Sequence, residues 1–260
     1  MTSASTSPSA ADTAFATSTA HKAGQRLLDL RDEMGFEDPR ALKDAGDRLA
    51  DELILGLIRE EYPADAILSE EAVGEEGRDG TARLEADRVW IIDPLDGTRE
   101  FSEEGRDDWA VHVALWEKGK GLTAGAIALP AQNLVLSTGN VETLVPSGDR
   151  PAEPRIAVSR TRPPAEAERA AAKLGAELVP MGSAGAKIAA VVTGRVDAYV
   201  HAGGQWEWDS AAPVAVALAA GWFASRVDGT PLRYNREDPG LPDLVVCRPD
   251  MSADLLAAVK

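Results

Sequence analysis

The residues best suited to chemistry in this sequence lie at 93–98, which reads DPLDGT. On a continuous strand, residues three apart point to opposite faces, so Asp93 and Asp96 could not share a ligand there. Pro94 is expected to break the strand and Gly97 to permit a tight turn, which would fold both carboxylates back toward one point. Paired carboxylates without histidine or cysteine suit Mg²⁺, Mn²⁺ or Ca²⁺ rather than zinc.

The same turn predicts donors for a cation and for an anion. It would present the Leu95 carbonyl, an oxygen ligand of the kind that Mg²⁺ accepts. If a helix begins near Thr98, the amides of Gly97 and Thr98 would form a small anion site. An EF-hand loop is excluded, because it would need oxygen side chains where Leu95 and Gly97 stand. The segment is therefore either a metal–phosphate site or a surface turn capped by Asp and Thr.

Three further carboxylates are expected at the ends of regular elements, where side chains from several elements can meet. Glu70 follows a short apolar run, Asp209 begins a predicted helix, and Asp47 is placed at the start of another helix. We therefore expect these three side chains to converge with the 93–98 segment.

Three short motifs resemble those of a known group of enzymes. LSEE at 68–71, DPLDGT at 93–98 and WDSAAP at 208–213 resemble the signatures of the inositol monophosphatase and bisphosphate nucleotidase superfamily. The similarity extends over nearly the whole chain after its first residues, including GSAGAKIAAVVTGRVDAY at 182–199. Within the superfamily, the pattern is most similar to the bacterial enzymes of sulfate assimilation that act on 3'-phosphoadenosine 5'-phosphate.

The resemblance implies an Mg²⁺-dependent phosphomonoester hydrolase that removes the 3'-phosphate of adenosine 3',5'-bisphosphate and releases AMP. The alternative within the superfamily is a broader enzyme acting on inositol monophosphate or fructose 1,6-bisphosphate. A non-catalytic protein that binds a metal or a nucleotide for regulation is a third hypothesis. Sensitivity to lithium, by displacement of one Mg²⁺, also follows from the resemblance.

The resemblance further implies a role for each matching residue. The ligands of two to three Mg²⁺ ions, for which Mn²⁺ could substitute, would be Glu70, Asp93, the Leu95 carbonyl, Asp96 and Asp209. The implied catalytic residues are Asp47, Glu70 and Thr98, of which Asp47 and Thr98 would orient or deprotonate the attacking water. The implied substrate-binding residues are Glu70, Leu95, Asp96, Gly97, Thr98, Ser183, Lys187 and Asp209.

The sequence departs from the superfamily pattern at two positions. Asp44 stands where a threonine is common, and it either caps the following helix or adds an acid to the site. Ala202 stands where inositol-specific members have an acidic residue, and its methyl group cannot accept bonds from inositol hydroxyls. Ser183 is either a helix cap or a substrate contact. Lys187 is either a solvated helix residue or a contact for the 5'-phosphate or the base.

Other residue types that often carry function have plainer interpretations here. Trp206 and Trp208 bracket Glu207 and either shape the cleft or pack in the core. His112 shows no ligand spacing with the other histidines. Cys247, in LVVCRP, is expected to be a buried and inert strand thiol.

The elements around these residues predict two regions of different type. Residues 1–20 are small and polar and are expected to be a disordered tail. Residues 21–148 are expected to form an α+β region with most metal ligands, and residues 149–260 an α/β region that supplies Asp209 and substrate contacts. The Pro-rich stretch 145–154 marks the boundary. The fold class is thus α/β, and the resemblance implies a layered αβαβα sandwich of the sugar phosphatase and inositol monophosphatase type.

Composition limits the partners that this chain can have. Its 260 residues carry a net charge of −16, which disfavours nucleic acids and anionic lipids. No apolar run reaches the ~20 residues of a membrane span, and a single cysteine excludes an internal disulfide framework. We therefore expect a cytoplasmic protein with a small phosphomonoester substrate. The resemblance adds that a homodimer could form.

Overall fold

The computed structural model describes residues 9–71, 81–141, 144, 148 and 150–260, which form two five-stranded sheets and the helices around them. The first sheet contains, in spatial order, β1 (Ala66–Ser69), β2 (Arg88–Asp96), β3 (Ala110–Glu117), β4 (Gly121–Leu129) and β5 (Leu134–Ser137). β1 is parallel to β2, whereas β2 to β5 form an antiparallel meander.

The second sheet is built from the C-terminal part of the chain. Its strands are β6 (Arg155–Ser159), β7 (Glu177–Met181), β8 (Ala198–Trp206), β9 (Phe223–Ser225) and β10 (Gly240–Cys247). Their spatial order is β7-β6-β8-β10-β9, with β6 parallel to both of its neighbours and β10 antiparallel to both of its own. The predicted boundary between residues 148 and 149 lies between β5 and β6, and residue 149 is outside the described part.

Eight α-helices cover the sheets in the described part of the chain. They are α1 (Ala10–Met34), α2 (Pro39–Glu61), α3 (Ala82–Glu85), α4 (Thr98–Phe101), α5 (Ala165–Leu174), α6 (Ala184–Val192), α7 (Glu207–Ala219) and α8 (Ser252–Ala258). None of these helices is both long enough and apolar enough to cross a lipid bilayer.

Alternating side chains of the strands divide the protein into five layers. Trp90 and Ile92 of β2 pack with α1 and α2, whereas Ile91 between them faces α6 and α7. The same middle layer covers one face of the second sheet, and α5 and α8 cover its other face. The predicted αβαβα sandwich is confirmed.

The first helix corrects one prediction. Helix α1 begins at Ala10, so the disordered tail expected over 1–20 is wrong from residue 10 onward, and residues 1–8 lie outside the described part. Alanine has the highest intrinsic helix propensity. Ala16 and Ala20 are also fully buried, because small side chains let the helix approach the sheet closely. A run of small residues was therefore a packing face rather than a tail.

The second helix begins earlier than predicted. Asp38 caps α2 by accepting a hydrogen bond from the Ala41 amide at 3.0 Å, and Pro39 occupies the first helical position, where a missing N–H costs nothing. Asp47 therefore lies inside the helix and not at its start. Asp44 lies inside the helix as well, on an exposed position, so it is not a helix cap.

Candidate active site

Strand β2 carries two carboxylates on one side because it contains a β-bulge. Asp93 lies opposite His112 of β3, and Asp96 lies opposite Ala110, so three steps along β2 match two along β3. The extra residue restores the side-chain alternation that a spacing of three would otherwise break. This corrects the expected break at Pro94: the strand continues to Asp96 through the proline.

The turn after the bulge positions the following groups. Gly97 has φ of +87°, a conformation that favours glycine, and α4 begins directly after it at Thr98. The buried Leu95 donates its amide to Asp93 Oδ1 at 3.1 Å, which fixes the orientation of that carboxylate. The other oxygen, Asp93 Oδ2, is buried and has no hydrogen-bond partner among the described residues.

Asp209 joins this pair from the second half of the chain. Its carboxylate accepts a hydrogen bond from the Trp206 amide at 2.5 Å, which fixes it at the N-terminus of α7. Asp93, Asp96 and Asp209 each offer one oxygen, and these oxygens all lie within 4.8 Å of one another. The structure thus brings together three of the predicted metal ligands, and we call them the three-carboxylate group.

The carboxylate of Asp96 is held by its second oxygen. Asp96 Oδ2 accepts hydrogen bonds from Ser183 Oγ at 2.5 Å and from the Gly185 amide at 2.7 Å. Ser183 also caps α6 by accepting from the Ala186 amide, and it has an unusual φ of +42°. The N-terminus of α6 is therefore attached directly to Asp96. The cap predicted for Ser183 is present, and its hydroxyl also binds a candidate metal ligand.

His112 lies against the three-carboxylate group, although the spacing of the histidines in the sequence did not indicate it. Its ring is fully buried, with Nε2 3.3 Å from Asp96 Oδ2 and Nδ1 3.2 Å from the Trp208 carbonyl oxygen. Burial lowers the pKa of His112, which favours a neutral ring that donates from Nδ1 to Trp208. The signal was the strand rather than histidine spacing: an antiparallel neighbour of β2 must place one residue directly opposite Asp93.

Glu70 lies beside this group at the end of β1. It is not one of the three carboxylates, but it interacts with Asp93, and the charges of Glu71, Asp96 and Asp47 act on it. Burial, reinforced by these charges, raises the pKa of Glu70 to about 7. Burial and like charge also raise the pKa of Asp209 to about 8 and that of Asp93 well above its ordinary value.

These raised pKa values have one physical meaning. Several carboxylates in one buried place resist ionisation unless a cation is present to compensate them. The donor set consists of oxygens, and the buried Asp93 Oδ2 lacks a partner among the described residues. The residues present therefore fit a hard divalent cation.

Asp47 and Thr98 form a pair on the α2 side of the group. Thr98 Oγ1 donates a hydrogen bond to the Leu95 carbonyl oxygen at 3.1 Å, and the hydroxyl also interacts with the Asp47 carboxyl. A carbonyl oxygen has two lone pairs, so the Leu95 oxygen can accept from Thr98 and still offer a lone pair to a cation. Burial, with the charges of Glu71 and Asp44, raises the pKa of Asp47 to about 7.

Lys187 is buried, which corrects the interpretation of a solvated helix residue. Its Nζ donates to the carbonyls of Gly182 at 2.9 Å and Ser183 at 2.7 Å, and lies 5.2 Å from the ring centre of Tyr199. Lys187 also lines a cavity of about 230 Å³ next to Thr98. It therefore secures the loop that carries Ser183, and it still borders open space beside the turn.

The sequence profile of the inositol monophosphatase family matches residues 10–259, nearly the whole chain. The chain belongs to the inositol monophosphatase family. The resemblance stated from its three motifs is thereby confirmed, and so is the prediction of an enzyme of this family. The family is metal-dependent, in agreement with the three-carboxylate group.

Two curated relatives match most of this chain. It is 55% identical over 258 residues to the 3'-phosphoadenosine 5'-phosphate phosphatase of Mycobacterium leprae, covering 96% of this chain and 93% of the relative. It is 30% identical over 200 residues to the 3'(2'),5'-bisphosphate nucleotidase CysQ of Escherichia coli K12, covering 73% of this chain and 78% of the relative.

Solved structures of the family share the fold. Inositol monophosphatase II from Staphylococcus aureus MSSA476 has a TM-score of 0.77 at 24% identity, covering 95% of this chain and 96% of that chain. CysQ from Bacteroides thetaiotaomicron has a TM-score of 0.76 at 27% identity, covering 92% of this chain and 97% of that chain.

Proposed function

We propose that this protein is an Mg²⁺-dependent phosphatase that removes the 3'-phosphate of 3'-phosphoadenosine 5'-phosphate and releases AMP. The observation that carries the proposal is the 55% identity to a curated phosphatase of that name over nearly the full length of both chains. The grouped carboxylates of Asp93, Asp96 and Asp209 support the metal dependence. A cytoplasmic location and a place in sulfate assimilation belong to the same proposal.

Two to three Mg²⁺ ions, for which Mn²⁺ could substitute, would be held by oxygen ligands from three elements. The proposed ligands are Glu70, Asp93, the Leu95 carbonyl, Asp96 and Asp209. Bound divalent ions supply charge stabilisation for a phosphoryl group and lower the pKa of water. Lithium sensitivity is part of the proposal, because a monovalent ion in one of these positions supplies less charge.

The chain's own residues would prepare the attack on phosphorus. Asp47 has a pKa of about 7, so it can accept a proton near neutral pH, and its bond with Thr98 orients the carboxyl. Gly97 and Thr98, at the start of α4, would bind the substrate phosphate together with Ser183 and Lys187, which border the same small cavity.

The identity of residue 202 favours a nucleotide over inositol phosphate. Ala202 lies in β8 opposite Asp243, seven residues before Asp209. A methyl group offers no hydrogen bond to an inositol hydroxyl, and a missing polar contact can lower discrimination by orders of magnitude. The alternative of a broad inositol or fructose bisphosphatase therefore has less support.

Phosphate release from three substrates, with Mg²⁺ and with EDTA, tests the proposal. We expect kcat/KM for adenosine 3',5'-bisphosphate to exceed the values for inositol 1-phosphate and fructose 1,6-bisphosphate, and all activity to depend on Mg²⁺. Asp96→Asn is the control for contaminating phosphatases, since loss of one metal-ligand charge is expected to reduce kcat by about 100-fold or more. Equal rates on the three substrates would contradict the substrate assignment.

A further inference from the structure

Two stacked tryptophans stand beside Asp209, and only one of them is buried. The rings of Trp206 and Trp208 are nearly parallel, with centres 5.3 Å apart and planes 14° apart. Trp208 is 1% exposed and belongs to the middle core layer, whereas Trp206 is 39% exposed. Trp208 therefore packs in the core, and it supports an indole ring at the surface.

The part of β8 that leads to Trp206 has glycines with free space beside them. Gly203 and Gly204 have φ values of +111° and +87°, and a Cβ added at either would meet nothing within 4 Å. Ala202 precedes them with a single methyl group. Within residues 202–206, the exposed positions are thus two glycines and the ring of Trp206, while Ala202 and Gln205 are half-buried. We call this segment the Trp206 platform.

A cavity of about 460 Å³ adjoins the platform. It is lined by Gly204, Gln205 and Trp206 of β8, and by Asp238 and Leu241 from the region where β10 begins. Asp238 is exposed at the rim of this cavity, and its carboxylate is available to a group that donates a hydrogen bond.

The platform is rigidly connected to the three-carboxylate group. The Trp206 amide donates to Asp209 Oδ2 at 2.5 Å, so the backbone under the ring also orients a candidate metal ligand. A substrate with its phosphate at Asp209 and a planar ring attached through a sugar could reach both places. The cavity combines a carboxylate at Asp238 with the aromatic face of Trp206.

We propose that the Trp206 platform binds the heteroaromatic base of a nucleoside bisphosphate by stacking on the Trp206 ring. The inference rests on the proposed function and adds the place where the base is recognised. Bases of any kind have a π face that stacks on an indole. Adenine also has an exocyclic amine that donates hydrogen bonds, which matches the Asp238 carboxylate at the rim of the cavity.

The test compares a substrate that has a base with one that lacks it. The ratio of kcat/KM for adenosine 3',5'-bisphosphate to that for glycerol 2-phosphate is measured for wild type, Trp206→Ala, Trp206→Phe and Leu218→Ala. We expect Trp206→Ala to lower the ratio by about 10-fold or more through KM, and Trp206→Phe to restore most of it. Leu218 is an exposed apolar residue at the far end of α7, so its variant should keep the wild-type ratio.

A binding measurement provides a readout without turnover. AMP is titrated into the Mg²⁺-loaded proteins by calorimetry, and we expect about 10-fold weaker binding to Trp206→Ala than to Trp206→Phe. If the wild-type enzyme prefers adenosine bisphosphate but Trp206→Ala keeps both the kcat/KM ratio and the AMP affinity, base binding at the Trp206 platform is overturned and the proposed function stands. If the wild-type enzyme does not prefer adenosine bisphosphate, both the proposed function and base binding at the Trp206 platform are overturned.

Discussion

Gly185 lies directly against His112: a Cβ added at Gly185 would come 2.0 Å from the imidazole Nε2. The backbone amide of Gly185 and the ring of His112 both approach the same oxygen, Asp96 Oδ2. Three elements, β2, β3 and α6, therefore meet at one carboxylate oxygen, and only a glycine leaves room for the ring.

The variant Gly185→Ala should lose both stability and metal affinity. The added methyl group must displace His112 or the start of α6, and overpacking of this kind costs about 1–3 kcal/mol. Thermal melting and Mg²⁺ titration by calorimetry measure the two effects. Gly56→Ala is the matched control, because Gly56 is a helical glycine with nothing within 4 Å of the added Cβ, and it should be neutral or slightly stabilising. Equal behaviour of the two variants would contradict the argument.

Two replacements of His112 separate its structural contact from its contact with Asp96. In His112→Asn, the side-chain amide can retain the bond to the Trp208 carbonyl but has no group at the position of Nε2. We expect this variant to melt near the wild-type temperature and to bind Mg²⁺ about 10-fold more weakly, because Asp96 loses the ring that packs against its carboxylate. His112→Ala should lose both properties. Unchanged Mg²⁺ affinity in both variants would show that His112 does not position Asp96.

The charge of Asp44 should affect the position of the acidic limb in the pH profile of kcat/KM. The charge of Asp44 helps to raise the pKa of Asp47, after burial and Glu71. Asp44→Asn should therefore lower that pKa, and the acidic limb of kcat/KM should move to lower pH because Asp47 acts as a base only when ionised. Glu52→Gln removes another exposed charge from α2 and should leave the limb in place. A limb that moves to higher pH in Asp44→Asn would exclude this role for Asp47.

The stability of the metal-free protein should fall as the pH rises from about 4 to about 8. Glu70 and Asp209 have pKa values near 7 and 8 in the folded state, against ordinary values near 4, so the folded state binds more protons than the unfolded state in this window. Their protonated forms stabilise the fold below pH 4, and that contribution is lost as the pH passes 8.

Mg²⁺ should reverse this loss, since a bound cation compensates the ionised carboxylates. The increase in melting temperature caused by Mg²⁺ over EDTA is therefore expected to be larger at pH 8 than at pH 5.5. Calcium-free buffers of equal ionic strength provide the comparison. An increase that is the same at both pH values, or larger at pH 5.5, would contradict the origin that we assign to the raised pKa values.

The sequence predicted the elements whose signals are local. Helix α6 (Ala184–Val192) follows Ser183, and the helix cap considered for that serine is present. Strands and helices alternate from β6 to α7, in the part of the chain where an α/β region is expected. In these segments, side-chain periodicity and capping agree with the packing, so propensity and tertiary structure favour the same result.

What the sequence did not reveal depends on pairing between distant segments. The bulge between Asp93 and Asp96 exists only because β3 pairs with β2, and the same pairing places His112 beside Asp93. The apolar spacing after Asp47 indicates the helix but not its first residue, which is set by the cap at Asp38 and the proline at 39. The contact of Ser183 with Asp96 joins residues 87 apart, which no local pattern predicts.

The division of the proposed metal ligands between β2 and α7 has a consequence for synthesis on the ribosome. A nascent polypeptide that has emerged only through β5 carries Asp93, Asp96 and His112, but it lacks Ser183, the α6 amide and Asp209. Under the proposed function, a truncated or half-translated product would therefore not bind divalent ions as the finished chain does, and hydrolysis would begin only once translation has passed α7.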